Sequence, residues 1–331
     1  MTIRHATVRQ LQIFVEAARS LSFTRVAEKL NLTPAAVSFQ IRQIEGLSGF
    51  PLFERVGRRV VLTDAGKALV DYAAIVLKAL HDADQRMMAL KGLSGGQVTI
   101  GLVSTAKYIV PHMLGRFQTM YPGVSIHLQD GNRREIQEAL MKGEIDIAVT
   151  GRPPDETEVE AHPFAPHPSV IIAPPNHPLA HGSAAQLWAR NIPLNALAND
   201  RFILREMGSG TRALMDRYFQ DHGFAPEITM ISSSNETIKQ AVIAGMGVSL
   251  ISRHTIGLEL KLGMLAVLPV EGLPLMRSWY VTHRRNMPLL PVHQQLCNYL
   301  IENGRNIIDE INGVEPGSDD ALARSDVHAP S

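Results

Sequence analysis

The run Thr33-Pro34-Ala35-Ala36-Val37-Ser38-Phe39-Gln40-Ile41-Arg42 places hydroxyl, amide and guanidinium groups on one short stretch. These are the residue types that hydrogen-bond base edges and phosphates. Leu52 to Leu62 follows, two extended stretches around a glycine turn that carries Arg55, Arg58 and Arg59. Arginines on such a tip suit phosphates and a narrow minor groove. An exposed Phe39 suits contact with a thymine methyl or a sugar edge. Residues 1–62 hold nine Lys/Arg against four Asp/Glu, whereas the rest of the chain holds 23 against 28, so a total charge of zero conceals a basic head on an acidic body. That imbalance fits a polyanion binder that stays in solution.

Those groups need a scaffold, and the apolar spacing supplies one. Leu11, Phe14, Val15 and Ala18 recur at helical intervals. Phe23 to Leu30 reads as a second helix with Val26, Ala27 and Leu30 inward, and Asn31-Leu32 as a tight turn. Thr33 stands at an N-cap and Pro34 at the first helical position, where its missing N–H costs nothing. A third helix to Glu45 or Leu47 buries Val37, Ile41 and Ile44, and leaves Ser38, Phe39, Gln40 and Arg42 outward or at the edge. This is a helix-turn-helix followed by a winged hairpin. The candidate DNA contacts are therefore Thr33, Ala35, Ser38, Phe39, Gln40 and Arg42, with Arg55, Arg58 and Arg59 on the wing. A helical bundle that touches no nucleic acid is the competing reading.

Thr63-Asp64 opens a long helix. Leu69, Val76, Ala83 and Leu90 lie seven apart, interleaved by Ala73, Leu80 and Met87. The alternating four-three spacing fits a coiled-coil seam, hence a dimer; a helix packed on its own domain is the alternative. Gly92 to Gly96 ends it as a hinge by composition.

From Gln97 strands and helices alternate, which predicts open, mostly parallel sheets with ligands at the carboxyl ends of strands. Polar residues gather at those ends. Ser104 and Thr105 follow the first strand, either as helix caps or as ligand contacts. Gln129 ends the second strand and Thr150 the third, with Arg152 two residues on. Arg205-Glu206 precede Gly208-Ser209-Gly210-Thr211, a turn that could hold an anion or simply cap a helix, and Ser234-Asn235 carry the same ambiguity.

Leu11 to Gly66 resembles the DNA-binding domain of LysR-type transcriptional regulators. The resemblance rests on Phe14, Ala17, Ser22-Phe23, Ala27, Leu30, Thr33 to Ser38, Gln40-Ile41, Ile44-Glu45, Gly49, Leu52-Phe53, Arg55, Arg58, Leu62-Thr63 and Ala65-Gly66. Phe39 stands where many members carry arginine. The resemblance implies a winged helix-turn-helix over 1–63, a dimerising linker helix over 64–92 and a hinge at 93–96. It further implies two Rossmann-like subdomains similar to periplasmic binding proteins, one from 97–166 with 272–310 and one from 167–271. Positions matching Ser104, Thr105, Gln129, Thr150, Arg152 and Arg205 tend to line the effector cleft in that family.

The segments Leu204 to Arg212, Ser233 to Val242 and Val270 to Pro274, with Trp279, are most similar to regulators of Calvin-cycle carbon-fixation operons. That likeness implies an activator with no fixed cofactor, responsive to a phosphorylated metabolite or NADPH. It also implies double-stranded DNA with an inverted-repeat operator as partner, a homodimer or homotetramer, and RNA polymerase as a further candidate partner. A regulator of another operon sensing a small carboxylate, and a solute-binding protein without DNA function, are the alternatives.

Other features exclude classes. A single cysteine, Cys297, gives no intramolecular disulfide and no cysteine-based zinc site, and reads as a small core residue. His162, His167, His177 and His181 lie among prolines, so no metal site is expected. No catalytic motif, Gly-Lys-Ser/Thr phosphate loop or dinucleotide fingerprint is present, so no enzyme is expected. No apolar run reaches the ~18 residues of a membrane span, and Met1 to Gln10 lacks the apolar stretch of a secretory signal, so the reading is a cytoplasmic protein with no membrane partner. Residues 313–331 have little to bury and read as a disordered tail.

Overall fold

The structure is a computed structural model and describes residues 2–57, 59–90, 95–153, 158–180 and 191–312. It forms two compact units, one holding residues 1–93 and the other most of the remainder. No described helix is long and apolar enough to cross a membrane.

The first unit begins with helices α1 (Val8–Ser20), α2 (Phe23–Leu30) and α3 (Pro34–Ser48). Each is started by a side-chain cap. Thr7 and Gln10 form a reciprocal capping box, Ser22 accepts from the Arg25 amide, and Thr33 accepts from the Ala36 amide at 3.1 Å. Asn31 takes a left-handed conformation that ends α2 and turns the chain into α3. Phe14, Ala17, Val26, Val37, Ile41 and Ile44 fill the core. Ala18, expected inward on α1, is only half-buried, and Ile13 and Ala17 take that place. Strands β1 (Phe53–Val56) and β2 (Arg59–Leu62) pair antiparallel as the wing.

Helix α4 (Asp64–Leu90) divides along its length. Ala73 is 2% exposed within the core of the head, and Leu69, Val70 and Leu77 pack beside it. The expectation that Leu69 and Ala73 belong to a dimer seam is corrected here: the first turns of α4 must cover the head's own apolar surface. Val76, Leu80, Ala83 and Met87 are exposed. The side chain of Leu90 lies outside the described residues.

The second unit has two lobes. The first carries a five-stranded sheet in the order β4 (Val124–Gly131), β3 (Gly96–Val103), β5 (Ile147–Thr150), β12 (Ser278–Arg284) and β6 (Val159–Pro166). β3 runs parallel to β4 and β5, whereas β12 runs antiparallel to β5 and β6. Helices α5 (Val110–Met120), α6 (Arg133–Lys142) and α10 (Pro291–Asn312) complete this lobe. Its core is aliphatic, joined by Phe117, Trp279 and Cys297. Gly96, placed in a hinge by composition, is the first residue of β3, because its backbone pairs with Val124. Residues 91–94 and 313–331 lie outside the described residues, and with them most of the expected hinge and the whole expected tail.

The second lobe holds β7 (Ser169–Ala173) between β10 (Ser249–Ser252) and β11 (Ala266–Leu268), all antiparallel. β8 (Arg201–Arg205) and β9 (Glu227–Ser232) form a parallel pair. Helices α7 (Gly210–Asp221), α8 (Asn235–Ile243) and α9 (Gly257–Lys261) complete it. Mostly parallel sheets were expected, but the β7, β10 and β11 ladders and both of β12's are antiparallel. The chain passes between the lobes twice, and the two crossings pair with each other. The His167 amide donates to the Arg277 carbonyl at 2.7 Å, and the Ser169 amide to the Leu275 carbonyl at 3.0 Å.

Candidate functional site

In the head, α3 presents Ala35, Phe39 and Arg42 to solvent, with Phe39 50% exposed. Thr33 stands exposed at the head of the helix and Ser38 lies half-buried on one flank. Gln40 is half-buried on the other flank, beside the Val37–Ile44 core stripe, at the edge of the exposed face. On the wing Arg55 and Arg59 are exposed, and Gly57 takes a left-handed φ of 66° at the turn. Arg58 lies outside the described residues. Helix and wing are clipped together by Glu45, whose carboxylate accepts from the amides of Leu52 (2.8 Å) and Phe53 (3.3 Å). Gly66 completes the joint: a Cβ there would lie 2.1 Å from the Leu52 carbonyl oxygen.

In the second unit the parallel strands β3, β4 and β5 end at one edge of their sheet, and β8 ends facing them from the other lobe. A cavity of about 240 Å³ lies there. Of the expected effector residues, Ser104, Thr105, Arg152 and Arg205 line it. Thr105 makes no capping bond, so the capping alternative does not describe it.

Arg205, expected in the effector cleft, does line the cavity, but it is 2% exposed and its guanidinium is engaged within the protein. Its guanidinium donates to both oxygens of Glu206 (2.8 and 3.0 Å), to Asn235 Oδ1 (2.6 Å) and to Ser104 Oγ (3.0 Å). Glu206 neutralises it, and Asn235 also donates to the Ser104 carbonyl at 3.2 Å. Glu206 and Asn235 therefore belong to a tie between the lobes and do not line the cavity. Ser234 caps α8 by accepting from the Thr237 amide. Gln129 lies exposed on β4, outside the cavity, and Thr150 is buried at the end of β5 with an unpartnered hydroxyl.

Residues outside the expected effector set complete the lining. Arg277 and His167, on the two paired crossings, both line the cavity, with Arg133 at the start of α6. Arg277 donates to Ser169 Oγ (3.2 Å) and towards the Gly210 carbonyl (3.5 Å), and its Nε is buried with no partner. No acidic side chain pairs with it among the described residues. Burial first, and then the charge of Arg133, lower its pKa to about 10. His167 stacks on Trp279 with centroids 3.7 Å apart, and its Nε2 lies 3.0 Å from Ser252 Oγ. Its Nδ1 is buried and unpartnered, so close to Gly151 that a Cβ there would approach to 2.7 Å. Burial above all, with the Arg277 and His254 charges, holds this imidazole neutral at physiological pH.

A capped helix-turn-helix with a wing, and a two-lobed cleft built at strand ends, define the class: the chain belongs to the LysR family of bacterial regulatory helix-turn-helix proteins. Residues 8–67 match the family's helix-turn-helix and residues 91–305 its substrate binding domain. Among particular relatives, the HTH-type transcriptional regulator CfxR of Cupriavidus necator is 43% identical over 316 residues, which cover 95% of this chain and 98% of that one. CbbR of Rhodospirillum rubrum is 46% identical over 300 residues, covering 90% and 97%. Among solved structures, the CcmR regulatory domain of Synechocystis PCC6803 in complex with 2-PG is 35% identical with a TM-score of 0.59, covering 64% of this chain and 98% of that one.

Proposed function

We propose that the chain activates carbon-fixation (Calvin cycle) genes, binding double-stranded DNA as a dimer or tetramer under control of a small phosphorylated anion. Its work is binding rather than catalysis, carried out in the bacterial cytoplasm where the DNA lies. Two heads would read an inverted repeat, with α3 in successive major grooves and wings on flanking phosphates.

The observation that carries the effector reading is Arg277, a desolvated guanidinium that faces the cavity near Arg133 and has no carboxylate paired with it among the described residues. An arginine in that state favours an anionic occupant. The volume of about 240 Å³ falls below the ~300–1,000 Å³ of pockets that hold drug-sized ligands, so it favours a two- to four-carbon phosphate over a whole dinucleotide such as NADPH. The 2-PG complex of the CcmR domain supports the same class. Arg277, Arg133, Thr105 and the neutral His167 are the proposed contacts. Closure of the cleft changes the population of arrangements only as far as the anion binds one of them better.

The test is thermal unfolding of the effector unit within the full chain against sugar bisphosphates, phosphoglycolate, nicotinamide nucleotides, ATP and unphosphorylated carboxylates. A ligand at a hundred times its Kd adds about 2.7 kcal/mol, roughly 5–10 °C for a unit of this size. A shift from small phosphates supports the reading. A shift from carboxylates alone leaves a LysR-type regulator of another operon.

A further inference from the structure

We propose that Glu160, His162 and His283 form a divalent transition-metal site on the first lobe, remote in function from the effector cavity. Among the described residues they are the one group of three whose ligand atoms, one from each side chain, lie within 4.8 Å of one another. The pairing of β6 with β12 brings them together. His283 is directly opposite Glu160 in the antiparallel register, and His162 is two residues further along β6. Alternate residues of a strand share a face, and so do directly opposed residues, so all three side chains leave the sheet on the same side.

The donor set suits a borderline ion. Two imidazoles and one carboxylate are the protein ligands of open zinc sites, which keep a further position for solvent. His283 is 8% exposed, and its Nδ1 lies 3.2 Å from the carbonyl oxygen of Arg284. A carbonyl only accepts, so the proton sits on Nδ1 and Nε2 keeps its lone pair, the arrangement that orients a metal-binding imidazole. The His162 and His283 rings stack with centroids 6.2 Å apart, and His162 Nε2 lies 2.9 Å from Glu160 Oε1. Both side chains on β6 are a little under half exposed, which gives an ion a way in. Val281, beside His283 on this face, is fully buried, so the aliphatic surface of the sheet gives way to three ligand-type side chains only at this edge.

Position gives such an ion a consequence. β6 leads into one crossing between the lobes, and β12 leads out of the other. An ion held by His162, Glu160 and His283 ties those two strands by side chains as well as by their ladder. A site split between residues 160 and 283 leaves no motif in the sequence, so none is expected from ligand spacing alone.

The experiment is Zn²⁺ titration of the EDTA-treated full chain against a competing chromophoric chelator, with Co²⁺ absorption as a second readout. The expected result is one tight ion per chain and a Co²⁺ d–d spectrum of low coordination number. His162→Ala and His283→Ala should each weaken binding beyond the ~10–100-fold seen when only an outer-shell partner is lost. Glu160→Gln should weaken it less. His162 is partly exposed at a sheet edge, so its variant should keep the Tm of the metal-free protein and report on binding alone. No binding at micromolar free Zn²⁺, or unchanged affinity in both histidine variants, overturns the proposal.

Discussion

The guanidinium of Arg205, in the second lobe, donates to the hydroxyl of Ser104, in the first, at 3.0 Å. This bond joins the two lobes beside the cavity, and Glu206 supplies the charge that makes a buried arginine tolerable there. Ser104→Ala should cost about 1 kcal/mol of effector-unit stability, since Arg205 keeps its other partners. Glu206→Gln should cost more, up to about 3–5 kcal/mol, because it leaves a buried charge uncompensated. Thermal unfolding of the two variants should rank them in that order; equal effects would mean that the carboxylate is not what holds Arg205.

Arg277 should behave in the opposite sense. Its charge is desolvated and repelled by Arg133, so Arg277→Gln should leave the Tm of the ligand-free protein unchanged or raised. The same change should weaken a small phosphate by roughly 10–100-fold, the loss of a charge-assisted hydrogen bond of ~1.5–3 kcal/mol. Isothermal titration alongside thermal unfolding separates the two effects.

The effector unit should lose stability in mild acid. Burial, helped by the Arg253 charge, lowers His254 to about 4, and burial holds His167 lower than an ordinary histidine as well. Both folded values lie below the unfolded value near 6.5, so the unfolded chain binds more protons once pH falls past 6.5. The stability they contribute is complete above that pH and declines towards pH 4, at up to about 1.4 kcal/mol per pH unit for each histidine. His254→Gln should flatten this slope in denaturant titrations at pH 7, 6 and 5.

On DNA, Arg59→Ala should weaken binding to every sequence and lower the salt slope by about one. Arg58→Ala is expected to act alike. Ser38→Ala and Phe39→Ala should change which sequences are preferred. Fluorescence anisotropy on a specific and a scrambled duplex across salt concentrations distinguishes them, and a uniform loss for Ser38→Ala would remove it from base readout.

Along α4 the exposed seam begins at Val76. Leu80→Lys should therefore shift the chain towards monomer in sedimentation without lowering the Tm of the head. A change at Ala73 should destabilise the head itself, since that side chain lies in its core.

The head was legible in the sequence because its signals are local: capping residues, a proline at a helix start and apolar residues three or four apart. The lobes were less so. Pro163 and Pro166 interrupt the pattern of β6, and they are tolerated because β6 is an edge strand with no strand paired on its outer side among the described residues. The antiparallel β7–β10 ladder joins Ser169–Ala173 to Ser249–Ser252, a pairing that no local pattern encodes. Strand ends pointed to Ser104, Thr105 and Arg152. Arg277 escaped because it precedes β12, where that rule says nothing, and His167 because it follows β6, whose pattern the prolines hide.

Those crossings hold one further meaning. His167 and Arg277 exchange backbone hydrogen bonds, so the two passages between lobes form a single short ribbon with the cavity against it. An anion seated there would rest between the lobes and close to their axle. Leverage then works outward: a shift of a fraction of an ångström at the ligand becomes a wider swing at the far rim of each lobe.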